Sequence, residues 1–256
     1  MTLRPRYIAA ACAGLLAIAL PQASHADEFS GAQRGAIESI VRDYLIAHPE
    51  VLQEAMSELE KRQTAAENEK HKTAVREHAE KLFSSPRQVV LGDPQGNVTF
   101  VEFFDYNCGY CKRAMNDMLT LMKDDPKLKV VLKEFPVLGT GSVEAAQVAV
   151  AVRMQDKTGK KYLEFHQKLL GGRGQADKAH ALAVAKDVGL NMAQIDKDMN
   201  SPEVKATMEE NFKLAEALGL NGTPSYVIGN DVVIGAIGLP GLQEKINSAR
   251  CGKPSC

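Results

Sequence analysis

The sequence predicts an α/β body, split by a helical block and preceded by a helical arm. Three observations carry that prediction. An apolar, aromatic run at 98–104 leads into Cys108-Gly109-Tyr110-Cys111, where a helical pattern begins, and a second apolar run follows at 128–135. Residues 138–218 then read as almost wholly helical, before two short β-rich runs at 225–228 and 232–237. Ahead of all this, residues 31–81 carry helical periodicity that passes from apolar to highly charged.

In the arm, Ile37, Ile40, Val41, Tyr44 and Leu45 recur three and four apart, a helical stripe. His48-Pro49 interrupts it, because the residue before a proline avoids helical angles and proline suits the first turn of a new helix. Val51, Leu52, Ala55, Met56 and Leu59 begin that second helix. It continues through 61–81, where Lys, Glu, Arg, Gln and Ala dominate. Pairs such as Glu58/Arg62 and Glu77/Lys81 have the favourable four-residue spacing, each contributing about 0.2–0.5 kcal/mol. This charged section is predicted to be a strut or linker with no face to bury. The apolar stripes need a partner, either the body or further copies of the chain. The long polar spacer favours self-association, since it would serve nothing if the arm folded back.

Ser84-Ser85-Pro86 ends the arm, 89–91 is a short strand, and Gly92-Asp93-Pro94-Gln95-Gly96-Asn97 is dense in turn formers. The strand at 98–104 feeds a helix from Cys108 to about 123. Asp124-Asp125-Pro126 stops that helix, and the strand at 128–135 ends at Pro136. The resulting β-α-β unit puts the cysteine pair at the carboxyl end of its first strand. Helices are predicted at 142–155, 162–170, 178–187, 192–199 and 202–218. A hairpin over Gly229-Asn230-Asp231 and a helix at 242–249 follow. This order describes a thioredoxin fold with a helical domain inserted. The loop Gly171-Gly172-Arg173-Gly174 has the glycine density of a phosphate cradle, but no strand precedes it and no Lys-Ser/Thr follows.

Two cysteines three apart at a helix start bring their sulfurs within bonding reach and set Cys108 over unpaired backbone N–H groups, which favour thiolate over thiol. A thiolate that attacks disulfides, beside a second thiol that resolves the mixed species, is the minimal apparatus of thiol–disulfide exchange. The amino-terminal residues suggest where this happens. Arg4 and Arg6, an apolar run at 7–20 and Ser24-His25-Ala26 are predicted to be a cleaved secretory signal, 1–26, too short to span a membrane. A lipoprotein anchored at Cys12 is the alternative, although Ala9-Ala10-Ala11 is a poor lipobox. Removing Arg4 and Arg6 leaves 29 basic against 32 acidic side chains, −3 where the whole chain carries −1. No concentrated basic face suggests a nucleic-acid partner. Cys108, Cys111, Cys251 and Cys256 remain, in an oxidising compartment. For Cys251 and Cys256 three readings stand: a structural disulfide pinning the tail, a second redox pair, or a metal-binding tail. His78, His166 and His180 show no ligand spacing with any cysteine and are expected at the surface. No metal or other cofactor is expected.

These residues resemble the DsbA family of exported thiol–disulfide oxidoreductases. Glu102-Phe103-Phe104 followed by Cys108-Gly109-Tyr110-Cys111 is similar to the family's strand-to-active-site run. The helical insertion sits at the family's usual place, and Gly222-Thr223-Pro224-Ser225-Tyr226 resembles its cis-proline segment. The arm is similar to that of the ScsC-like and Com1-like branch, whose members include trimers joined through such an arm. The resemblance implies that Cys108 is the exposed nucleophile, Cys111 the buried resolving thiol, and Thr223-Pro224 a cis pair that receives a substrate strand. It implies that Glu102 moves protons for the resolving thiol; the alternative is an ordinary strand residue with an exposed side chain. Gly109 and Tyr110 tune the site. Without the Pro-His pair of the strongly oxidising members, thiolate should be less favoured here, and the Gly-Tyr pair resembles the isomerase DsbC.

The expected organisation is therefore a signal at 1–26, an oligomerisation arm and linker at 27–84, and a DsbA-like body at 85–256 with its insertion at about 138–218. The leading expectation is a periplasmic isomerase or reductase acting on exported proteins with cysteines. A DsbD-like or ScsB-like membrane donor would keep it reduced, and residues 30–60 would join it into a homo-oligomer, a trimer before a dimer. The alternatives are an oxidase recharged by a DsbB-like partner, and, in another class, a chaperone or copper-binding protein holding Cu(I) on paired thiolates.

Overall fold

Strand β2 (Val98–Phe104) is apolar on both faces, and a strand of that kind is stable only inside a sheet covered on both sides. It lies in the middle of a five-stranded sheet with β1 (Val89–Gly92), β3 (Leu128–Glu134), β4 (Ser225–Ile228) and β5 (Asp231–Ile234), in the order β1-β3-β2-β4-β5. The β2–β3 pair is parallel and the other pairs are antiparallel. The structure, a computed structural model, describes residues 29–156 and 158–256. The expected signal at 1–26, with Cys12, lies outside the described residues.

The chain divides into two compact units between Leu59 and Glu60. In the first, α1 (Gly31–Ala47) opens on a capping box: the Gln33 amide donates to Ser30 Oγ and the Ser30 amide to Gln33 Oε1. It stops at His48, before Pro49, and α2 (Glu50–Glu77) begins. No residue of α1 is buried. Ile40, Tyr44, Met56 and Leu59 are all more than half exposed.

In the second unit, alternation along β2 sends Phe100 and Phe104 to one face and Val101 and Phe103 to the other. The first face is covered by α4 (Gly109–Asp124), by α5 (Thr140–Gln155), α6 (Lys160–Gly171), α7 (Lys178–Asp187) and α8 (Met192–Met199), and by α10 (Gly238–Cys251). The second face packs Leu214 and Leu218, at the end of α9 (Pro202–Ala217), with Leu82 of α3 (Ala79–Phe83). Ala74 and Val75 join this second core, so the expectation that 61–81 has no face to bury is corrected. Lysines of β3 then satisfy carbonyls at the end of α3: Lys133 Nζ donates to Lys81 O at 2.7 Å and Lys129 Nζ to Phe83 O at 2.7 Å. Strand β5 is shorter than expected, ending at Ile234. The chain turns at Gly235, φ +89°, a conformation that favours glycine, and α10 starts at Gly238.

Candidate active site

Cys108 is the N-cap of α4, with extended backbone (φ −81°, ψ 115°), because the chain must turn from β2 into the helix within four residues. Asp105 fixes that turn. Its carboxylate accepts from the Asn107 amide (2.7 Å), Ser142 Oγ (2.8 Å) and the amides of Val137 and Leu138 (2.8 and 2.9 Å). The Asn107 side chain donates to Ser142 Oγ and to Ala176 O and accepts from the Ala176 amide. The loops after β2 and β3 are thus tied to the helical block.

Both cysteines are free thiols. Cys111 is fully buried, and Cys108 keeps only 6 % of its surface. The expectation of an exposed nucleophile is corrected to a narrowly accessible one, because the Thr223 carbonyl lies against the sulfur: Cys108 Sγ donates to Thr223 O at 3.1 Å. The Thr223–Pro224 peptide is cis. Tyr110 is 60 % exposed, with the Arg113 guanidinium 4.5 Å over its ring. A Cβ at Gly109 would meet no atom within 4 Å, so packing does not demand glycine there. Val137 and Leu138 add exposed apolar surface on the loop that Asp105 holds.

Beneath the cysteines, Glu102 is buried rather than exposed. Burial, and then the Asp117 charge, push its carboxyl up to about 8. Burial pushes the Cys111 thiol well above its ordinary value, and the Glu102 charge adds to this. Tyr226 completes the group. It lies opposite Glu102 on β4, it is buried, and its hydroxyl has no hydrogen-bond partner. Asp105, Asn107, Asp117, Ser142 and Tyr226 were not legible as site residues.

A second buried polar group stands on the same sheet face. Tyr162 Oη donates to Glu134 Oε1 at 2.6 Å and lies 3.4 Å from Tyr106 Oη, which lies 3.4 Å from His166 Nδ1. The expectation of a surface His166 is corrected. It stacks on the Tyr162 ring and meets Phe104 edge-on, and burial pushes it down to about 3, so the ring is neutral. Burial pushes Glu134 up to about 8.

Cys251 and Cys256 are joined by a disulfide at the exposed end of α10. Among the described residues no group of three His, Cys, Asp or Glu side chains is placed to hold a metal ion.

A buried dithiol at a helix N-terminus, beside a cis-proline and a buried acid, has the chemistry of thiol–disulfide exchange, and comparison with known proteins gives the family. The profile of the DSBA-like thioredoxin domain matches residues 99–247, more than half of the chain. The chain belongs to this DSBA-like thioredoxin family. The profile of the copper resistance protein ScsC N-terminal domain matches residues 33–66. Among solved structures, a thioredoxin-like oxidoreductase from Silicibacter pomeroyi is 44 % identical with TM-score 0.63, covering 67 % of this chain and 96 % of that one. ScsC from Proteus mirabilis, in a transitional conformation, is 27 % identical with TM-score 0.64, covering 88 % and 98 %. Curated relatives include the Na(+)/H(+) antiporter NhaA 1 of Mycobacterium sp. (strain KMS), 26 % identical over 149 residues, 56 % of this chain and 23 % of the relative. The chain thus spans about a quarter of the length of the first curated relatives it matches.

Proposed function

We propose that this chain is a periplasmic thiol–disulfide oxidoreductase that isomerises or reduces wrong disulfides in exported proteins. The Cys108 thiolate attacks a client disulfide, forming a mixed disulfide and releasing one client sulfur as thiolate. Cys111, once deprotonated, attacks Cys108 Sγ, closes the Cys108–Cys111 disulfide and releases the second client thiolate. The client gains two electrons and the cysteine pair loses them, and a DsbD-like or ScsB-like membrane donor restores the dithiol. Thr223 and Pro224 form the wall against which an extended client segment lies, with Tyr110, Val137 and Leu138 as apolar contacts. The observation that carries this reading is the Cys108 thiol at the start of α4, in contact with Thr223 O, above a fully buried Cys111 and the buried Glu102.

The isomerising direction draws support from Gly109-Tyr110 and from the arm. Residues 30–60 present apolar side chains with no cover in the single chain, as self-association into a trimer or dimer requires, and several active sites can then hold one misfolded client. The domain division at 84/85 is modified for this purpose. Because Ala74, Val75 and Leu82 belong to the core of the body, the arm that can be removed ends at Leu59. Among the described residues no helix is long and apolar enough to cross a membrane.

Refolding of scrambled ribonuclease by protein with and without residues 27–59 tests the reading. Isomerisation should be lost on truncation while oxidation or reduction of simple disulfides persists. Fast oxidation of reduced ribonuclease, with no recovery of the scrambled form by the full chain, would instead establish the oxidase recharged by a DsbB-like partner. The ScsC match favours one further reading, Cu(I) held by Cys108 and Cys111. It requires stoichiometric Cu(I) binding that Cys108→Ser abolishes.

A further inference from the structure

The Tyr226 hydroxyl is a buried donor without an assigned purpose. Tyr226 is 1 % exposed, and its Oη has no hydrogen-bond partner. In the β2–β4 ladder Tyr226 is paired directly with Glu102, so the two side chains leave the sheet on the same face. The Tyr226 ring is held against Phe100, with centroids 5.2 Å apart, and both belong to the core that contains Cys108 and Cys111. The ionisable groups whose fields reach Tyr226 are Glu102 from β2 and Cys111, Asp117 and Cys108 from α4. From α10 the core receives the apolar Leu239, Leu242 and Ile246, while Lys245 pairs with Asp231 at 2.8 Å. From β5 the residue opposite Tyr226 is Val233. The ionisable groups that act on Tyr226 are therefore two carboxyls, Glu102 and Asp117, and the two thiols.

A buried hydroxyl left unpaired in the dithiol state is explained if it finds its acceptor in another state of the cycle. We propose that Tyr226 is a positioning residue for the resolving step: its hydroxyl donates a hydrogen bond to the Glu102 carboxylate while that carboxylate takes the proton from Cys111. The proposal rests on the exchange reaction proposed above and adds the group that orients its base. In the mixed disulfide the Cys111 S–H proton passes to Glu102, the Cys111 thiolate attacks Cys108 Sγ, and the client sulfur leaves with the electron pair of the broken bond. Asp117, half-buried on α4, is the charge that, after burial, raises the Glu102 carboxyl.

Ellman's reagent separates the two steps in the full-length protein. Cys108 releases one thionitrobenzoate on attack, and Cys111 releases the second on resolution. Tyr226→Phe keeps the ring and removes the unpaired hydroxyl, so the thermal midpoint should not fall. The first release should be unchanged. The second should slow about tenfold near pH 7, the worth of a hydrogen bond to a charged group, and its pH midpoint should move up. In a Glu102→Gln background Tyr226→Phe should add nothing. A second release within about twofold of wild type across the pH range, or an equal slowing in the Glu102→Gln background, overturns the proposal. Failure of the underlying reading is a separate result: a first release that survives Cys108→Ser.

Discussion

The two cysteine pairs of this chain sit at opposite ends of two helices, and the helix end decides what each can do. Cys108 caps the start of α4, where unpaired N–H groups lie at the positive end of the dipole, and Cys111 lies buried in its first turn. Cys251 closes α10, where carbonyls and the negative end disfavour an anion. The first pair is free, buried and beside a buried acid; the second is bonded and exposed, with Cys256 against the Asn247 carbonyl of α10. Under the proposed function, proximity of two sulfurs is not enough for a redox site; the electrostatic setting and the proton acceptor decide, and substitutions can break the contrast at either pair. Cys108→Ser should lower the disulfide-exchange rate at least about 10³-fold, while the Cys251→Ser/Cys256→Ser double variant should stay within about twofold of wild type. A large loss in the double variant would make the tail a second redox pair and erase the distinction.

The buried acids sharpen the comparison at a smaller scale. Glu102 and Glu134 lie on adjacent strands of one sheet face, and burial holds both near 8. Glu134 has a fixed donor in Tyr162, whereas Glu102 faces the thiols. Both folded values lie above the ordinary 4.5, so the folded state keeps protons that the unfolded chain releases. Their contribution to stability is complete below about pH 4.5 and is lost as pH rises through about 8. His166 runs the other way, its contribution present above 6.5 and lost as pH falls towards 3. Glu102→Gln and Glu134→Gln should each flatten the decline in unfolding free energy between pH 5 and 8, by on the order of 3 kcal/mol. Only Glu102→Gln should slow resolution by Cys111. Urea unfolding across pH, beside exchange kinetics, reads both, and equal kinetic losses in the two variants would show that burial matters without position.

Local chemistry was legible in the sequence and cross-strand chemistry was not. Apolar runs, helix breakers and the C-x-x-C spacing act over neighbouring residues, so β2, β3, α4 and the helices of the block could be drawn from periodicity. Glu102 stood out because a charge inside so apolar a strand needs a reason. Tyr226 did not, since its meaning depends on a register that pairs β4 with β2 across more than a hundred residues of intervening chain. His166 was misread for the same cause: its neighbours Phe104 and Tyr106 come from β2 and the loop after it, not from its own helix. In the arm, Ala74 and Val75 were too small to register as a stripe against so many charges.

The smallest expected effect concerns the tail. A disulfide stabilises mainly by restricting the unfolded chain, and the benefit is realised only if the bridged segment is ordered when folded. Cys251 and Cys256 enclose residues that are all exposed, and the hydrogen bond from Asn247 Nδ2 to Pro254 O, 3.1 Å, is one of the few ties to α10. Without the bridge this segment can fray in the folded protein almost as freely as in the unfolded one, so the entropy gained on each side nearly cancels. The Cys251→Ser/Cys256→Ser variant should therefore lose less than about 1 kcal/mol, a fall in thermal midpoint of no more than about 4 °C. A larger fall, accompanied by loss of protection of the α10 amides in hydrogen exchange, would mean that the bridge clamps the last turn of α10 onto the sheet. The tail would then be part of the scaffold that positions Cys108.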